Sequence, residues 1–411
     1  MALAPVVALE IGTAKTVALV GESRDDGTTM ITGIGEHPTT GVRKGEITDL
    51  ESALICVRAA LQAAEDNAQV TIREVHLALS GGHIQSVVNR GSAPVIDPAG
   101  EITEEDVQHV MNIARAVNLP PDREILHTIC QHFHIDDQEK VVRPEGLEGA
   151  KLAVDMLALY GVRSRMRNTV KVVRTVPMEV QDVAFSGLCS ALAVLTPEHK
   201  ESGVLLIDLG AGTTDYVAYA ADTVAAAGAI GVGGDHVTND IALAFNIPAR
   251  QAEALKRESG GAMVDPSARA QRLTLPPDVG FPERTITLHA LQTVMNARLD
   301  ETLTMIRSRI DPEIVSHIGA GVVLTGGGAR CKDARLLAER IFGMPCSLGT
   351  ARGVSGLATA ISGPEYATAI GMVRYGFKTA ARAEPNSLIG SWWQKMFGSR
   401  PPRFQGHEAT E

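Results

Sequence analysis

Residues 207–220 read IDLGAGTTDYVAYA, and residues 9–22 read LEIGTAKTVALVGE. Each stretch runs apolar strand, acid, apolar residue, glycine, small polar turn, second strand. The acids, Glu10 and Asp208, stand 198 positions apart. The repeated pattern predicts an internal duplication with two β-hairpins facing a common cleft. Gly and Thr in such turns present backbone amides and hydroxyls that can surround phosphate oxygens. Asp208 could hold Mg2+ through water, since Mg2+ keeps most of its own waters; Glu10 and Asp208 are the candidates for positioning metal or water. A third stretch, GVVLTGGGA at 321–329, is a buried strand ending in three glycines before a helix. Glycines there let the backbone touch a flat ring or a ribose, which a Cβ would block. Singly, each stretch also reads as an ordinary glycine turn; the three in this order carry the argument. No G-x-x-x-x-G-K-[ST] occurs, so the chain is not a P-loop protein.

Composition narrows the function. The 411 residues predict two to three folding units, and 45% hydrophobic with 21% charged residues is an ordinary globular balance. A net charge of −10 argues against nucleic acid as the main partner, and two Trp, five Tyr and eight Phe make a base-stacking surface improbable. Cys56, Cys130, Cys189, Cys331 and Cys346 form no C-x-x-C, which predicts neither a disulfide framework nor a zinc ribbon and suits a reducing cytoplasm. No signal peptide and no membrane-spanning run is expected.

Outward from the motifs, strands are predicted at 6–11, 16–22 and 29–36, and Asp49 opens a helix whose Leu50, Leu54, Val57, Leu61 and Ala64 share one face. From residue 82 to 163 the texture changes. Thr103-Glu104-Glu105-Asp106 reads as a capping box opening a helix that Pro120-Pro121 ends, and strands follow at 125–135 and 151–160. This is a separate α+β unit inserted into the first domain. Helices are expected around 235–258, 288–310 and 332–342, with a Pro/Gly-rich loop at 260–283.

Acid-x-Gly-Thr, DLGAGTTD and LTGGGA are the three nucleotide elements of the actin, sugar-kinase and heat-shock-chaperone superfamily. GEHPTTGVRKGEITDLESAL (35–54), VHLALSGGHI (75–84), GLCSALAVL (187–195) and IGVGGDHVTNDIALAF (230–245) narrow it: nearly the whole chain resembles the bacterial cell-division family FtsA. The resemblance implies an α/β, actin-like two-domain fold with a nucleotide cleft and an inserted subdomain, 1C. It implies an ATP-binding, polymerising protein that anchors the FtsZ ring to the cytoplasmic face of the inner membrane at the septum and recruits later division proteins through 1C. The implied partition is 1–81, 164–195 and 364–378 for subdomain 1A, 82–163 for 1C, 196–242 and 317–363 for 2A, 243–316 for 2B, a linker at 379–387, and a membrane-targeting helix at 388–400. By resemblance, Gly12, Thr13 and Lys15 form the first phosphate hairpin and Asp208, Gly210, Gly212, Thr213 and Thr214 the second. Gly233 and Gly234 lie near phosphates and ribose, Glu253 and Lys256 face the adenosine, and Gly326, Gly327, Gly328 and Ala329 line the adenine.

Two departures from the superfamily stand out. Glu10 replaces the usual Asp. Phe185-Ser186-Gly187 replaces a Pro-Glu-Pro junction whose carboxylate positions water, and Ser186 is no base at neutral pH. Tight ATP binding with slow or negligible turnover is expected.

The C-terminal SLIGSWWQKMFG (387–398) carries Leu388, Ile389, Trp392, Trp393, Met396 and Phe397 on half a helical circumference, with Lys395, Arg400 and Arg403 and no acid within 388–404. Such a helix suits the interface of a membrane rich in anionic lipids. Arg298 and Glu301 stand one turn apart on the helix expected to receive the FtsZ C-terminal peptide, where an Arg could fork onto a peptide carboxylate. His127, His132 and His134 read as strand residues of the inserted unit rather than a metal site, and Cys189 as a core residue rather than a nucleophile. The alternatives are an actin-like adaptor of pilus or secretion machinery and a soluble small-molecule kinase of the same superfamily.

Overall fold

The computed structural model describes residues 4–24 and 26–382. Its first half starts with β1 (Val6–Ile11), β2 (Lys15–Ser23) and β3 (Thr29–Pro38), a small ribbon of β4 (Val42–Arg43) and β5 (Glu46–Ile47), α1 (Leu50–Ala68) and β6 (Glu74–Leu79). Asp49 caps α1, accepting from the amides of Glu51 at 3.1 Å and Ser52 at 3.4 Å. The predicted apolar face of α1 is buried at Val57, Leu61 and Ala64 against β3. Gly35 is needed in β3, because a Cβ there would collide with the Ala60 carbonyl of α1.

The inserted unit comprises β7 (Gln85–Pro94), α2 (Glu104–Arg115), β8 (Arg123–Ile135), β9 (Gln138–Val141) and β10 (Lys151–Val162). Its antiparallel sheet has the order β7-β10-β8-β9. The helix α2 packs over β7 and β10 around Val107, Val110, Met111, Phe133 and Leu152. The capping box is formed: Asp106 N donates to Thr103 Oγ1 at 3.3 Å and Thr103 N to Asp106 Oδ2 at 2.9 Å. The helix stops at Arg115, short of the prolines.

The chain returns through α3 (Arg163–Thr175) to β11 (Glu179–Phe185) and α4 (Ser186–Val194), and α5 (Pro197–Glu201) leads to the second half. There β12 (Val204–Leu209), β13 (Thr214–Ala220) and β14 (Thr223–Ile230) are followed by α6 (Gly234–Phe245) and α7 (Ala249–Glu258). The single helix expected at 235–258 is thus two, with Asn246 in the left-handed region and Pro248 at the N-cap of α7. The expected loop at 260–283 also holds structure, since β15 (Arg272–Leu275) pairs with β16 (Arg284–Thr287). After α8 (Leu288–Arg307) and α9 (Pro312–Ser316) come β17 (Val322–Thr325), α10 (Ala334–Phe342), β18 (Cys346–Leu348), β19 (Val354–Gly356) and α11 (Ala367–Arg382). Because α11 runs to Arg382, residues 379–382 are helix and not the linker expected from 379; Ala380 and Ala381 are strong helix formers.

The expected duplication shows in the sheets. The first has the order β11-β6-β1-β2-β3, extended by β19; the second has β18-β17-β12-β13-β14. In each, an antiparallel meander follows the acid-bearing strand and two parallel strands lie on its other side. Between the halves sits α4, whose Leu188 and Cys189 share a core with Leu206 and Val217 of the second sheet. Burial raises the Cys189 thiol pKa well above its ordinary value, as befits a core cysteine. Gly371 lets α11 reach α4, since a Cβ there would collide with the Cys189 carbonyl.

The inserted unit is anchored on both halves. His127 accepts from Phe185 N of the first half at 3.0 Å, and within the base of the unit His83 accepts from Val162 N at 3.1 Å. Across the cleft, Ala229 N donates to Ile84 O at 3.1 Å, Ser86 Oγ to Ala227 O at 2.6 Å and Gln131 Nε2 to Val224 O at 2.8 Å. The edge of β14 is covered in this way.

Burial lowers the His127 pKa to about 4, and burial with the charges of Arg165 and Arg123 lowers that of His83 to about 4. Both are neutral acceptors in the fold, whereas the unfolded chain takes up their protons below about pH 6.5. They therefore contribute stability above that pH which is lost as pH falls toward 4, by about 1.4 kcal/mol per pH unit for each imidazole. His127→Gln, which can still accept from Phe185 N, is expected to show a shallower loss of stability between pH 6.5 and 4 in denaturant titrations. A slope equal to wild type contradicts this.

Candidate functional site

The two hairpin turns close in the same way. Gly12 N donates to Lys15 O at 3.1 Å, and Gly210 N donates to Thr213 O at 3.0 Å. A Cβ on Gly12 would lie 2.7 Å from Lys15 O, and one on Gly210 2.8 Å from Thr213 O, so both turns require glycine for one reason. The turns face each other: a Cβ on Gly212 would collide with Thr13 Oγ1 and lie 2.9 Å from Lys44 Cα. Thr13 Oγ1 accepts from Gly45 N at 3.1 Å, and Thr214 Oγ1 donates to Val232 O at 2.8 Å.

Three acids converge behind the turns. Asp208 and Asp215 are buried, and Glu10 is partly exposed, though its Oε2 is sealed from solvent and has no hydrogen-bond partner among the described residues. Burial, reinforced by Asp208, pushes Glu10 up to about 8 against the pull of Lys15. Asp215 is driven far above the usual carboxylate range by burial and then by Asp208, opposed by its bond from Ser80 Oγ at 2.5 Å. Burial also raises Asp208, opposed by the hydroxyls of Ser190 at 2.5 Å and Thr368 at 3.1 Å. Lys15 lies to one side, pairing Glu36 at 2.7 Å and sitting 3.6 Å from the centre of the Tyr366 ring.

The remaining glycines continue the wall. Gly233 caps α6 against the second turn, where Gly234 N donates to Gly210 O at 3.0 Å and Asp235 N to Ala211 O at 2.8 Å. Lys256 Nζ donates to Gly234 O at 3.1 Å and Thr238 Oγ1 at 2.9 Å and pairs Glu253 at 2.6 Å. Gly326, at φ +81°, passes so close to Asp208 that a Cβ would collide with Oδ1. A Cβ on Gly328 would lie 2.8 Å from Leu209 Cβ, while Gly327 has only Glu365 Cβ nearby, at 3.8 Å. Ala329 is buried at the end of this turn.

Other residues singled out in the sequence lie apart. Arg298 forks onto Asp240 of α6, with Nε at 2.6 Å and Nη2 at 3.1 Å, and Nη1 donates to Glu301 at 2.5 Å. The three histidines diverge: His127 to Phe185, His132 to Ala221 O at 3.4 Å, His134 to Asp155 at 2.9 Å. No group of three His, Cys, Asp or Glu among the described residues is arranged to hold a metal directly. Leu388, Ile389, Trp392, Trp393, Lys395, Met396, Phe397 and Arg400 lie outside the described residues. Asp215 was in plain view as the last letter of DLGAGTTD, whereas Ser80, Ser190 and Thr368 carried no sequence signal.

The family profile described as "Cell division protein FtsA" matches residues 205–371, and that described as "SHS2 domain inserted in FTSA" matches residues 81–160. Cell division protein FtsA of Pseudomonas aeruginosa is 35% identical over 94% of this chain and 92% of its own. Cell division protein FtsA of Escherichia coli K12 is 34% identical over 95% of this chain and 96% of its own. Among solved structures, the PilM–PilN type IV pilus biogenesis complex aligns over 90% of this chain and 98% of its own at TM-score 0.61 and 16% identity. MreB5 of Spiroplasma citri bound to ADP aligns over 93% of this chain and 99% of its own at TM-score 0.55 and 16% identity. These likenesses show the fold to be actin-like.

Gly326→Ala meets both a left-handed backbone and Asp208, and is expected to destabilise the protein by at least about 2 kcal/mol in chemical denaturation. Gly327→Ala should stay within about 0.5 kcal/mol of wild type. Equal effects at the two positions would contradict the close approach at Gly326.

Proposed function

The chain belongs to the FtsA family of cell-division proteins, and from that premise we propose that it is an ATP-binding, polymerising adaptor that tethers the FtsZ ring to the membrane. The observation that carries the nucleotide reading is the meeting of the two equivalent turns, with Gly212 against Thr13 and acids behind both. The phosphate chain belongs between those turns, Gly12 and Thr13 on one side and Gly210 to Thr214 on the other. The ribose then lies toward Gly233, Gly234, Glu253 and Lys256, and the adenine on the turn from Gly326 to Ala329.

The donor set fits a hydrated Mg2+. Carboxyls pushed upward by burial, with Asp208 adding repulsion at Glu10 and Asp215 and Glu10 Oε2 lacking a partner among the described residues, would be relieved by a cation held through water and phosphate. When bound, Mg2+ supplies charge neutralisation for the phosphates. Asp208 and Glu10 would hold it through water, and Lys44, opposite Gly212, would add positive charge at the phosphate edge. Ser186 opens α4 without a carboxylate, so water is not activated there and turnover is slow or negligible. ATP touching both halves favours the closed arrangement suited to filament growth.

The membrane role rests on residues 388–400. No helix among the described residues is long and apolar enough to cross a membrane. One short amphipathic helix binds reversibly, and linked protomers bind far more tightly through effective concentration. We assign the subdomain partition by the same resemblance, with later division proteins meeting 1C, and place the protein peripherally on the cytoplasmic face of the inner membrane at the septum. Arg298 is the proposed contact for a carboxylate of the FtsZ C-terminal peptide, which would share the guanidinium with Asp240 and Glu301.

Co-sedimentation with anionic liposomes, with and without ATP and a fluorescent FtsZ C-terminal peptide, tests the reading. The wild-type chain is expected to pellet with filaments and peptide when ATP is present. Trp392→Glu should stay in the supernatant, and Arg298→Glu should pellet without the peptide. Pelleting of Trp392→Glu at the wild-type level contradicts the tether, and unchanged peptide binding by Arg298→Glu contradicts the docking residue.

A further inference from the structure

We infer that Ser190 and Thr368 are positioning residues that hold the Asp208 carboxylate in register for a cation–nucleotide complex from the opposite half of the molecule. The inference rests on the nucleotide reading above. Asp208 lies one residue before the end of β12 of the second half, whereas Ser190 lies on α4 and Thr368 on α11, 178 residues apart from each other in sequence. All three side chains are buried.

The bonding is specific. Ser190 Oγ donates to Asp208 Oδ2 at 2.5 Å, Thr368 Oγ1 lies 3.1 Å from the same oxygen, and the two hydroxyls are 2.9 Å apart. Each hydroxyl has one proton. The Ser190 proton occupies the short bond, and the Thr368 proton lies between Oδ2 and Ser190 Oγ. An acceptor that receives both is best served as a carboxylate anion. With Oδ2 engaged, Oδ1 is turned to Gly326, whose missing Cβ leaves it room. Three groups therefore fix one carboxylate.

Their placement argues for more than core satisfaction. Burying hydroxyls and a carboxylate where an apolar trio would pack is unfavourable unless the polar group has a use. On the second half, Asp215 receives a matching hydroxyl from the first, Ser80, at 2.5 Å. Ser190 sits one helical turn after Ser186, the residue that opens α4 at the cleft. Through Asp208, a cation-bound nucleotide is thus linked to α4, which packs between the sheets, and to α11, which packs on α4 and the first sheet.

The test uses the full chain and ATP itself. Equilibrium affinity for ATP is measured in Mg2+ and in EDTA for wild type, Ser190→Ala, Thr368→Val, the double variant and Ser190→Thr. The double variant is expected to lose at least about tenfold of the Mg2+-dependent gain in affinity, the scale of one hydrogen bond to a charged group, with its EDTA affinity unchanged. Ser190→Thr, which keeps the hydroxyl, should retain the gain. Thermal melting of the nucleotide-free proteins identifies any variant that fails to fold, and Thr368→Val, which preserves shape, then carries the comparison. An unchanged Mg2+ gain, or an equal loss with and without Mg2+, overturns the positioning role while leaving the nucleotide reading intact. Wild type that does not bind ATP at all overturns both.

Discussion

The structure depends on three buried carboxyl groups being held together. Glu10 and Asp208 sit at matching positions of duplicated hairpins, and Asp215 joins them one strand over. Asp208 raises the charge cost of both Glu10 and Asp215. Carboxylates are not gathered behind a pair of glycine turns for stability, since uncompensated buried charge is costly. The arrangement is tolerable because hydroxyls from the opposite half reach Asp208 and Asp215, and the proposed cation and phosphates would relieve it further. The charge conflict thus ties the site to the relation between the two halves.

The rest of the fold keeps that relation fixed. The helix α4 is packed between the sheets and α11 lies against α4 and the first sheet, close enough that Gly371 cannot carry a side chain. The inserted unit adds a second bridge, bonding to β14 on one half and, through His127, to the end of β11 on the other. Since β11 leads directly into α4, this unit is mechanically continuous with the helix that holds Asp208. The proposed partner surface on the inserted unit and the proposed nucleotide cleft would therefore act on the same elements.

Much of this was legible in the sequence where chemistry is local. The duplicated acid–glycine pattern foretold equivalent sheets, and Asp49 and the Thr103–Asp106 box foretold helix starts. What was missed is non-local or masked. The break at Asn246 and Pro248 was visible as residues but went unread within 235–258. The β15–β16 hairpin was hidden by Pro276, Pro277 and Gly280, which read as loop. Ser80, Ser190 and Thr368 look like any small residue, and only tertiary packing brings them to the acids. Glu36 and Tyr366 drew Lys15 aside in a manner no spacing could show.

The central claim is that two equivalent turns hold one ligand between them. Amide hydrogen exchange at residues 11–16 and 209–214, with and without ATP and Mg2+, tests it most directly. The account predicts that both turns become protected together, with the same nucleotide concentration dependence. Protection of one turn alone, or of neither, would contradict it.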